Sequence, residues 1–554
     1  MKRCCIILLF AIALFGGLFA DNNENPAAQR VFVGRFVTNN PHCFEAAAVA
    51  VDEHGFITDV YPDVQKDYDA KVVELPGELV LPGLHDAHAH LDGIGRLKWG
   101  LDLRGVTSTA ALRKKVQKYI QAHPHHSFVK GFGWDQSLFP GRNYPDAKLL
   151  NNLSDKPIFL SRIDGHAALV NRVLLDKAGI NKYTPEPQDG AILRYESGEP
   201  TGILIDGPMN RIKKHLPDLS HQDRVKIMRA GVNAAAQAGL VAVHDMSMAP
   251  KDLEALLEIE QQRGLPVRVF AYVLGKHLPW LDKQRETRPW LFKESDSSRV
   301  QIMGIKLFMD GTLGSRGALL FDPYADQPGH YGAPASDLEE QHRIFQIAQQ
   351  RGFDVAIHAI GDSAASLAFS WIEHDKNPKA ICRIEHAQVL RPEDMSLFAR
   401  LNVVASMQPK HLCDDLKWLK DRIGEKRFNG AYAWKSVLNT GAFLAFGSDA
   451  PVTDIEPVTG FYAAMTRKTL DGKPDSGWCP EERLTFGETL RAYTSAAAQS
   501  VGCRSYLGRL QRGYAFDITI LDRDVRESPE EWLHVKPVAT CIQGKRMERF
   551  IYKD

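Results

Sequence analysis

The chain has 554 residues, 44% of them hydrophobic and 25% charged, and it contains no low-complexity tract. This length exceeds what one simple core needs, so two or more structural units are expected. Lysine plus arginine equals aspartate plus glutamate, and this balance gives no reason to expect nucleic acid or an anionic membrane surface as a partner.

The first twenty residues have the pattern of a secretory signal. Lys2 and Arg3 precede the apolar run CCIILLFAIALFGGLFA, which ends at the small residue Ala20. We therefore expect residues 1–20 to be a signal peptide and the mature protein to be exported, periplasmic or secreted. Leu18 fits the usual small residue poorly, so the cleavage position stays open. An uncleaved membrane anchor is the alternative, because the run is barely long enough to span a bilayer.

Six cysteines follow the signal segment, scattered without the paired spacing of a zinc site. Export would permit disulfides, but the sequence does not pair these residues. We expect core thiols or an occasional disulfide rather than a disulfide framework.

Short β-type runs occur at both ends of the chain. The N-terminal runs are RVFVGRFV, AAAVAVD, GFITDVY and KVVEL, and the C-terminal runs are AFDITILD and VATCIQGKRMERFIY. We predict a small β-sandwich domain formed jointly by residues 28–82 and 505–554.

Residues 83–504 show apolar strands that alternate with longer helical stretches. The strand candidates are GELVLPGLHDAHAH, GLVAVHDM, PVRVFAYV, VQIMGIKLFMDG, FDVAIHAIGD, ICRIEHAQ, VVASMQP and GAFLAFGSDAP. Eight such strands predict an α/β fold of the (β/α)8 TIM-barrel type, whose reactive groups gather at the carboxyl ends of the strands. All of these runs except PVRVFAYV end in a polar or ionisable residue, as that arrangement requires.

The gap between the first barrel strand and GLVAVHDM is too long for one crossover helix. It contains FVKGFGWDQSLFPGRNYPD and PIFLSRIDGHAALVNRVLLDKAGI. We expect an insertion at about residues 98–230 that forms a lid or a substrate-covering wall.

Histidines and an aspartate lie at the ends of the predicted barrel strands. His88 and His90 share one face, because side chains alternate with period two along a strand. His358, His386 and Asp449 end neighbouring strands. Imidazole with carboxylate suits zinc, and also iron, manganese or nickel. A divalent metal held there would lower the pKa of bound water to about 7 and make hydroxide available as a nucleophile.

Several of these motifs resemble the amidohydrolase superfamily: PGLHDAHAH, GIKLFMDGTLGSRGALL, DVAIHAIGD, RIEHAQ and FGSDAPV. Within it, the chain is most similar to amidohydrolase family 3, the branch that contains N-substituted formamide deformylase. The likeness extends from about residue 29 to the C-terminus and includes WDQSLFPGRNYPD and DGHAALVN of the inserted region. It implies a TIM-barrel, metal-dependent hydrolase.

The resemblance also implies a set of metal ligands. His88 and His90 would bind one metal, with Asp449 beside it. His358 and His386 would bind a second metal, or complete the first site if only one ion is present.

Lys306 resembles the lysine that is carboxylated and bridges two metals in related enzymes. A lysine whose pKa is lowered by burial and nearby cations is neutral and can take up CO₂. The alternative is an ammonium group that forms an ion pair. Asp449 is implied to take a proton from the attacking water and to pass it to the leaving nitrogen.

Three further residues are candidates for substrate contact: His166, Trp134 and Gln408. His244 and Asp245 are expected to support the barrel mouth rather than bind metal. The glycines of FMDGTLGSRG are expected to form turns, because they lack the spacing of a phosphate loop.

These observations predict a hydrolase with one or two divalent ions, zinc by preference. It would cleave a carbon–nitrogen bond other than a peptide bond, such as an amide or N-formyl group, in a small-molecule substrate. The alternatives are a metal-dependent esterase, lactonase or phosphoesterase on the same barrel, and a non-catalytic scaffold. The sequence names neither the substrate nor the oligomeric state, and a homo-oligomer is compatible with it. A membrane contact is expected only through the N-terminal segment, if it is uncleaved.

Overall fold

A computed structural model describes most of the chain. The described residues are 28–162, 167–187, 190–292, 298–544 and 546–549. The predicted signal peptide, residues 1–20, lies outside them. Among the described residues, no helix has the length and apolar character needed to cross a bilayer.

The strands of the described residues belong to three sheets. In chain order they are β1 (Arg30–Asn40), β2 (Cys43–Val51), β3 (Ile57–Tyr61), β4 (Lys71–Glu74), β5 (Leu79–Pro82), β6 (Leu84–Ala89), β7 (Leu101–Asp102), β8 (Val129–Trp134), β9 (Ile158–Arg162), β10 (Ala167–Val170), β11 (Gly190–Arg194), β12 (Pro200–Asp206), β13 (Leu240–Met248), β14 (Arg268–Leu274), β15 (Val300–Phe308), β16 (Asp354–Ala359), β17 (Cys382–His386), β18 (Val404–Met407), β19 (Phe443–Phe446), β20 (Ile518–Leu521), β21 (Pro537–Ile542) and β22 (Arg546–Arg549).

The α-helices connect and cover these sheets. They are α1 (Leu91–Trp99), α2 (Thr109–Ala122), α3 (Arg172–Lys177), α4 (Gly207–Ile212), α5 (His221–Gln237), α6 (Pro250–Arg263), α7 (Leu278–Thr287), α8 (Leu338–Gln350), α9 (Asp362–Asp375), α10 (Met395–Arg400), α11 (Pro409–Asp415), α12 (Leu419–Ile423), α13 (Trp434–Asn439), α14 (Pro457–Thr466), α15 (Phe486–Tyr493) and α16 (Ser495–Gln499).

The central sheet is an eight-stranded barrel of parallel pairs in the order β6, β13, β14, β15, β16, β17, β18, β19. Beyond β19 the chain returns to β6, where the Asp449 N–H donates to the His88 carbonyl at 2.7 Å and the His90 N–H donates to the Ala450 carbonyl at 2.8 Å. Each apolar run predicted as a barrel strand coincides with one of these strands. The predicted TIM barrel is therefore confirmed.

The two chain ends share a second sheet, in the order β22, β21, β20, β5, β1, β2, β3, with β4 beside β1. β5 and β20 pair antiparallel and join the N-terminal and C-terminal parts. The run predicted as one strand is two strands, β5 and β6, which belong to different sheets. Gly83 lies between them at a close approach, since a Cβ there would lie 2.3 Å from the Val241 side chain.

The inserted region contains a third sheet, ordered β11, β12, β10, β9, β8, β7. Its two faces are covered by separate apolar clusters, one containing Leu103 and Leu160, the other Phe159 and Leu204. The region is thus a folded α/β unit with its own core. Helix α5, near the end of the predicted insertion, packs against α1 and β13 and belongs to the barrel layer.

Candidate metal centre

The predicted ligands meet inside the carboxyl end of the barrel. His88, His386 and Asp449 are buried, and each offers a ligand atom within 4.8 Å of the other two. The His90 Nε2 atom lies 3.1 Å from Asp449 Oδ1, and the His358 ring lies 4.5 Å from that of His386. Five side chains from four barrel segments therefore lie close together at this end of the barrel.

Left-handed backbone conformations end two of these segments. The φ angle is 74° at His386 and 58° at Asp449, a region that costs a non-glycine residue about 1–3 kcal/mol. In a regular strand, Glu385 and His386 would point to opposite faces. The turn at His386 breaks that alternation, so that Glu385 contacts His88 while the His386 ring also packs against His88.

Hydrogen bonds fix the orientation of three of the imidazoles through their Nδ1 atoms. The His88 Nδ1 atom lies 2.6 Å from Glu385 Oε2, His90 Nδ1 lies 2.9 Å from Ser247 Oγ, and His386 Nδ1 lies 2.7 Å from Gln408 Oε1. When Nδ1 donates its proton, the lone pair of Nε2 remains available to a cation. This arrangement is typical of metal-binding histidines.

The charge states of the cluster suit a divalent cation. Burial lowers the pKa of His88 to about 4 and that of His358 to about 3, so both rings are neutral ligands at pH 7. Burial alone would raise the pKa of Asp449, but the hydrogen bond with His90 and the nearby imidazoles hold it well below its usual value. The pKa of His90 is instead raised, because its ring lies beside the Asp449 carboxylate. The neutral imidazoles of His88 and His358 beside an ionised carboxylate are the kind of donors that such an ion requires.

Two buried nitrogen atoms of the cluster have no hydrogen-bond partner among the described residues: Lys306 Nζ and His358 Nε2. Lys306 lies near the end of β15 inside the barrel and is only 1% exposed, and burial lowers its pKa to about 8. Leaving buried polar atoms without a partner is unfavourable. Both atoms are satisfied if a cation, or a carboxylated lysine that binds it, occupies this space, so the residues fit a metal.

A buried ion pair between Arg383 and Glu385 contacts the cluster through His88. The Arg383 side chain donates to Glu385 Oε1 at 2.5 Å, to Ser406 Oγ at 2.7 Å and to the Ala87 carbonyl at 2.5 Å. Arg383 and Glu385 are both entirely buried. The guanidinium therefore compensates the charge of the carboxylate that orients His88.

Sequence reasoning missed Arg383 and Glu385, although both stand in the quoted motif RIEHAQ. The sequence signal was available, because two charged residues interrupt an otherwise apolar barrel strand. It also missed His411, whose Nε2 atom lies 3.6 Å from Asp449 Oδ2 and whose Nδ1 atom lies 3.0 Å from Gln388 Nε2. A lone histidine at the start of a helix gives no comparable signal.

His244 and Asp245 lie outside the ligand cluster. Asp245 accepts the Leu91 N–H at 2.8 Å and so holds the start of α1 beside the barrel mouth. His244 lies deeper, 3.2 Å from the Arg383 guanidinium. Asp310, in the predicted strand run VQIMGIKLFMDG, accepts the N–H groups of Ile360, Gly361 and Leu319.

The three predicted substrate contacts have different outcomes. Trp134 is fully buried in the core of the inserted unit, where its indole N–H donates to the Leu160 carbonyl at 2.7 Å, so this placement argues against substrate contact. Gln408 is 2% exposed, and its Oε1 atom contacts His386 Nδ1, so its contact with substrate stays a prediction. His166 lies outside the described residues.

Comparison with known proteins agrees with the candidate metal centre, because the proteins similar to this chain include metal-dependent hydrolases. Residues 71–547 match the amidohydrolase family. The chain is 32% identical over 498 residues to protein LONG AFTER FAR-RED 3 of Arabidopsis thaliana, covering 86% of this chain and 83% of that protein. It is 26% identical over 475 residues to N-substituted formamide deformylase of Arthrobacter pascens. This match covers 82% of this chain and 85% of that protein.

A crystal structure of an uncharacterized metal-dependent hydrolase from Pyrococcus horikoshii OT3 has the same fold. The two chains are 30% identical with a TM-score of 0.77, over 90% of this chain and 99% of that one. At this identity and coverage, the likeness includes the whole barrel. The chain therefore belongs to the amidohydrolase family, as its motifs predicted.

Proposed function

We propose that this metal-dependent hydrolase cleaves a carbon–nitrogen bond other than a peptide bond, in a small amide or N-formyl compound. The convergence of His88, His386 and Asp449 within 4.8 Å, in a buried barrel end, is the observation that carries the proposal. The similarity to N-substituted formamide deformylase supports the choice of an N-formyl group among the amides.

A divalent ion would be held by a mixed set of nitrogen and oxygen ligands, which we assign to His88, His90, His358, His386, Asp449 and Lys306. When bound, a divalent metal polarises the substrate carbonyl and lowers the pKa of water to about 7. Zinc suits these ligands. Whether one or two ions bind depends on Lys306.

Asp449 moves the proton. Its Oδ1 atom lies 3.1 Å from His90 Nε2 and 3.4 Å from His88 Nε2, whereas its Oδ2 atom lies 3.6 Å from His411 Nε2. We assign Oδ2 as the atom that accepts a proton from the attacking water and delivers it to the leaving nitrogen. The water oxygen bonds to the carbonyl carbon, and the carbon–nitrogen bond then breaks.

Lys306 is the candidate for carboxylation. Its neutral Nζ would attack the carbon of CO₂, form a carbon–nitrogen bond and release one proton, which leaves an anionic carbamate in place of the amine. The buried position of Nζ and its lowered pKa favour this reaction over an ion pair.

A substrate panel tests the reaction class. Purified protein is assayed with N-alkyl and N-aryl formamides, the matched acetamides, and alkyl formate esters, with release of amine, formate or alcohol measured. We expect hydrolysis of an amide or formamide that requires metal. Turnover of esters only would favour the esterase or lactonase alternative. Absence of metal from folded protein would favour the scaffold.

We also propose export, on the basis of the N-terminal segment alone. Cell fractionation of the full chain and of a chain that begins at residue 21 tests it. We expect only the full chain in the exported fraction. Retention of both in the cytoplasm would contradict export, and membrane attachment of the full chain would favour an uncleaved anchor.

A further inference from the structure

A cavity lies at the end of the barrel opposite the cluster of predicted metal ligands. It has a volume of about 460 Å³ and borders Phe443 and Leu444, the first residues of β19. Its other walls are α15, α16 and the segment 504–514, which leads into β20 of the second sheet. Because the predicted ligands gather at the carboxyl ends of the strands, this cavity is separate from the site described above. Its volume falls in the range of small-molecule sites, about 300–1,000 Å³.

Three arginines line this cavity, and none of them forms an ion pair with a carboxylate of the described residues. Arg491 and Arg504 are exposed and Arg509 is half-buried. None of their guanidinium groups has a hydrogen bond or an ion pair with another described residue, whereas Arg523 and Arg526, which follow β20, both pair with carboxylates. Three like charges around one space repel each other, and an anion between them would relieve that repulsion.

The other polar groups of the wall do not neutralise these charges. Glu488 lines the cavity, but its carboxylate already accepts from Lys435 Nζ at 2.5 Å and from the Thr485 N–H at 2.9 Å. The side chains of Gln499 and Ser505 have no hydrogen-bond partner among the described residues and are available as further donors. The wall therefore offers several uncommitted donors.

The remaining wall is apolar and is formed by Leu438, Ala442, Phe443 and Leu444. A guanidinium group binds phosphate or carboxylate in a bidentate manner, and an apolar wall favours a hydrocarbon body. We propose that this cavity binds a small organic anion, with a phosphate or carboxylate group between the arginines and an apolar body on the Phe443 side.

Calorimetry of the metal-loaded protein with hexyl phosphate tests the proposal, with inorganic phosphate and hexanol as partial ligands. We expect hexyl phosphate to bind at least tenfold more tightly than either one. The double variant Arg491→Gln/Arg504→Gln should weaken that binding at least tenfold and leave amide hydrolysis unchanged. The matched control is Arg142→Gln, an exposed arginine of the inserted unit that does not line the cavity, and it should bind like the unmodified chain.

Two outcomes would overturn the proposal. Equal affinity of the double variant and the unmodified chain would show that these arginines do not bind the phosphate group. Loss of binding in His88→Ala but not in the double variant would place hexyl phosphate at the metal centre instead. Because the readout is binding and not hydrolysis, failure here leaves the proposed function intact.

A further arm of the experiment identifies the source of the anion. Sedimentation with vesicles of phosphatidylglycerol is compared with vesicles of phosphatidylcholine. We expect no vesicle binding, which assigns the cavity to a soluble anion. Vesicle binding that disappears in the double variant would assign the same arginines to a lipid phosphate group.

Discussion

The Nδ1 atom of His88 lies 2.6 Å from Oε2 of Glu385, and both side chains are buried in the barrel. These residues are 297 positions apart in the chain, so the contact exists only because β6 and β17 face each other across the barrel interior. It fixes the proton of His88 on Nδ1 and leaves Nε2 for a cation.

Replacing Glu385 should weaken metal binding. In Glu385→Gln, the His88 ring loses a charged acceptor, and we expect metal affinity to fall by about 10- to 100-fold. The buried Arg383 would also lose its counter-charge, which should lower the free energy of unfolding by about 3–5 kcal/mol. Competition with a chelator and urea unfolding measure the two effects.

A second change separates these effects. Adding Arg383→Met to Glu385→Gln removes the uncompensated charge, so stability should recover while metal affinity stays low. Glu393→Gln, at an exposed carboxylate, is the control and should change neither quantity. Unchanged metal affinity in Glu385→Gln would contradict the role assigned to this contact.

Asp449→Asn should abolish turnover. The amide cannot accept the proton, and loss of general base catalysis lowers the rate by about 10²- to 10⁴-fold. Metal content should remain nearly intact, because four histidines remain. Turnover with each substrate and metal analysis of the same sample are compared, with exposed Asp454→Asn as the matched variant. Substantial remaining turnover would show that another group moves the proton.

Lys306 should react with CO₂ more readily as the pH rises. Its pKa is lowered to about 8 by burial, so the neutral, reactive amine predominates above that pH and the ammonium below it. In metal-free protein at fixed dissolved CO₂, raising the pH from 7 to 9 should increase the neutral fraction roughly tenfold.

Carbon-13 NMR with labelled CO₂ measures the carbamate directly. Lys306→Ala should lose this resonance and most of its activity, and short carboxylates such as acetate should restore part of the activity by entering the vacated space. Full activity of Lys306→Ala without added carboxylate would argue for a site that does not need the lysine.

Removing the metal should inactivate the protein without unfolding it. The barrel core is apolar and extends well beyond the ligands, so it persists when the ion leaves. Thermal unfolding should nevertheless occur at lower temperature, because an ion at a thousand times its Kd stabilises the fold by about 4 kcal/mol. Activity before and after chelation, and after addition of zinc, provides the measurement. Unchanged activity in protein free of transition metal would refute the metal-dependent mechanism.

His411 should affect turnover more than metal binding. Its Nε2 atom is 3.6 Å from Asp449 Oδ2, so His411→Leu should misplace the carboxylate and lower kcat by about 10- to 100-fold. Metal content should match that of the unmodified chain. The control is His374→Leu, at an exposed histidine. If kcat does not change, His411 has no part in positioning Asp449.

The sequence by itself determined the barrel and placed the candidate metal-binding residues at the ends of its strands. These features are local. A buried strand appears in the sequence as an apolar run, and the residue at its carboxyl end lies at the mouth of the barrel whichever strands are its neighbours. His88 and His90 share a face through strand geometry alone. The same local patterns carried the family resemblance.

Only the tertiary structure decided which side chains touch. Glu385 and His386 both contact His88 because the backbone turns at His386, and a φ of 74° there could not be inferred from residue type. The contact of Gln408 with His386 and the place of Trp134 in the core of the inserted unit were not predicted, because each depends on residues distant in the chain. Sequence pattern places a residue along its strand, but its partner depends on the packing of the whole barrel.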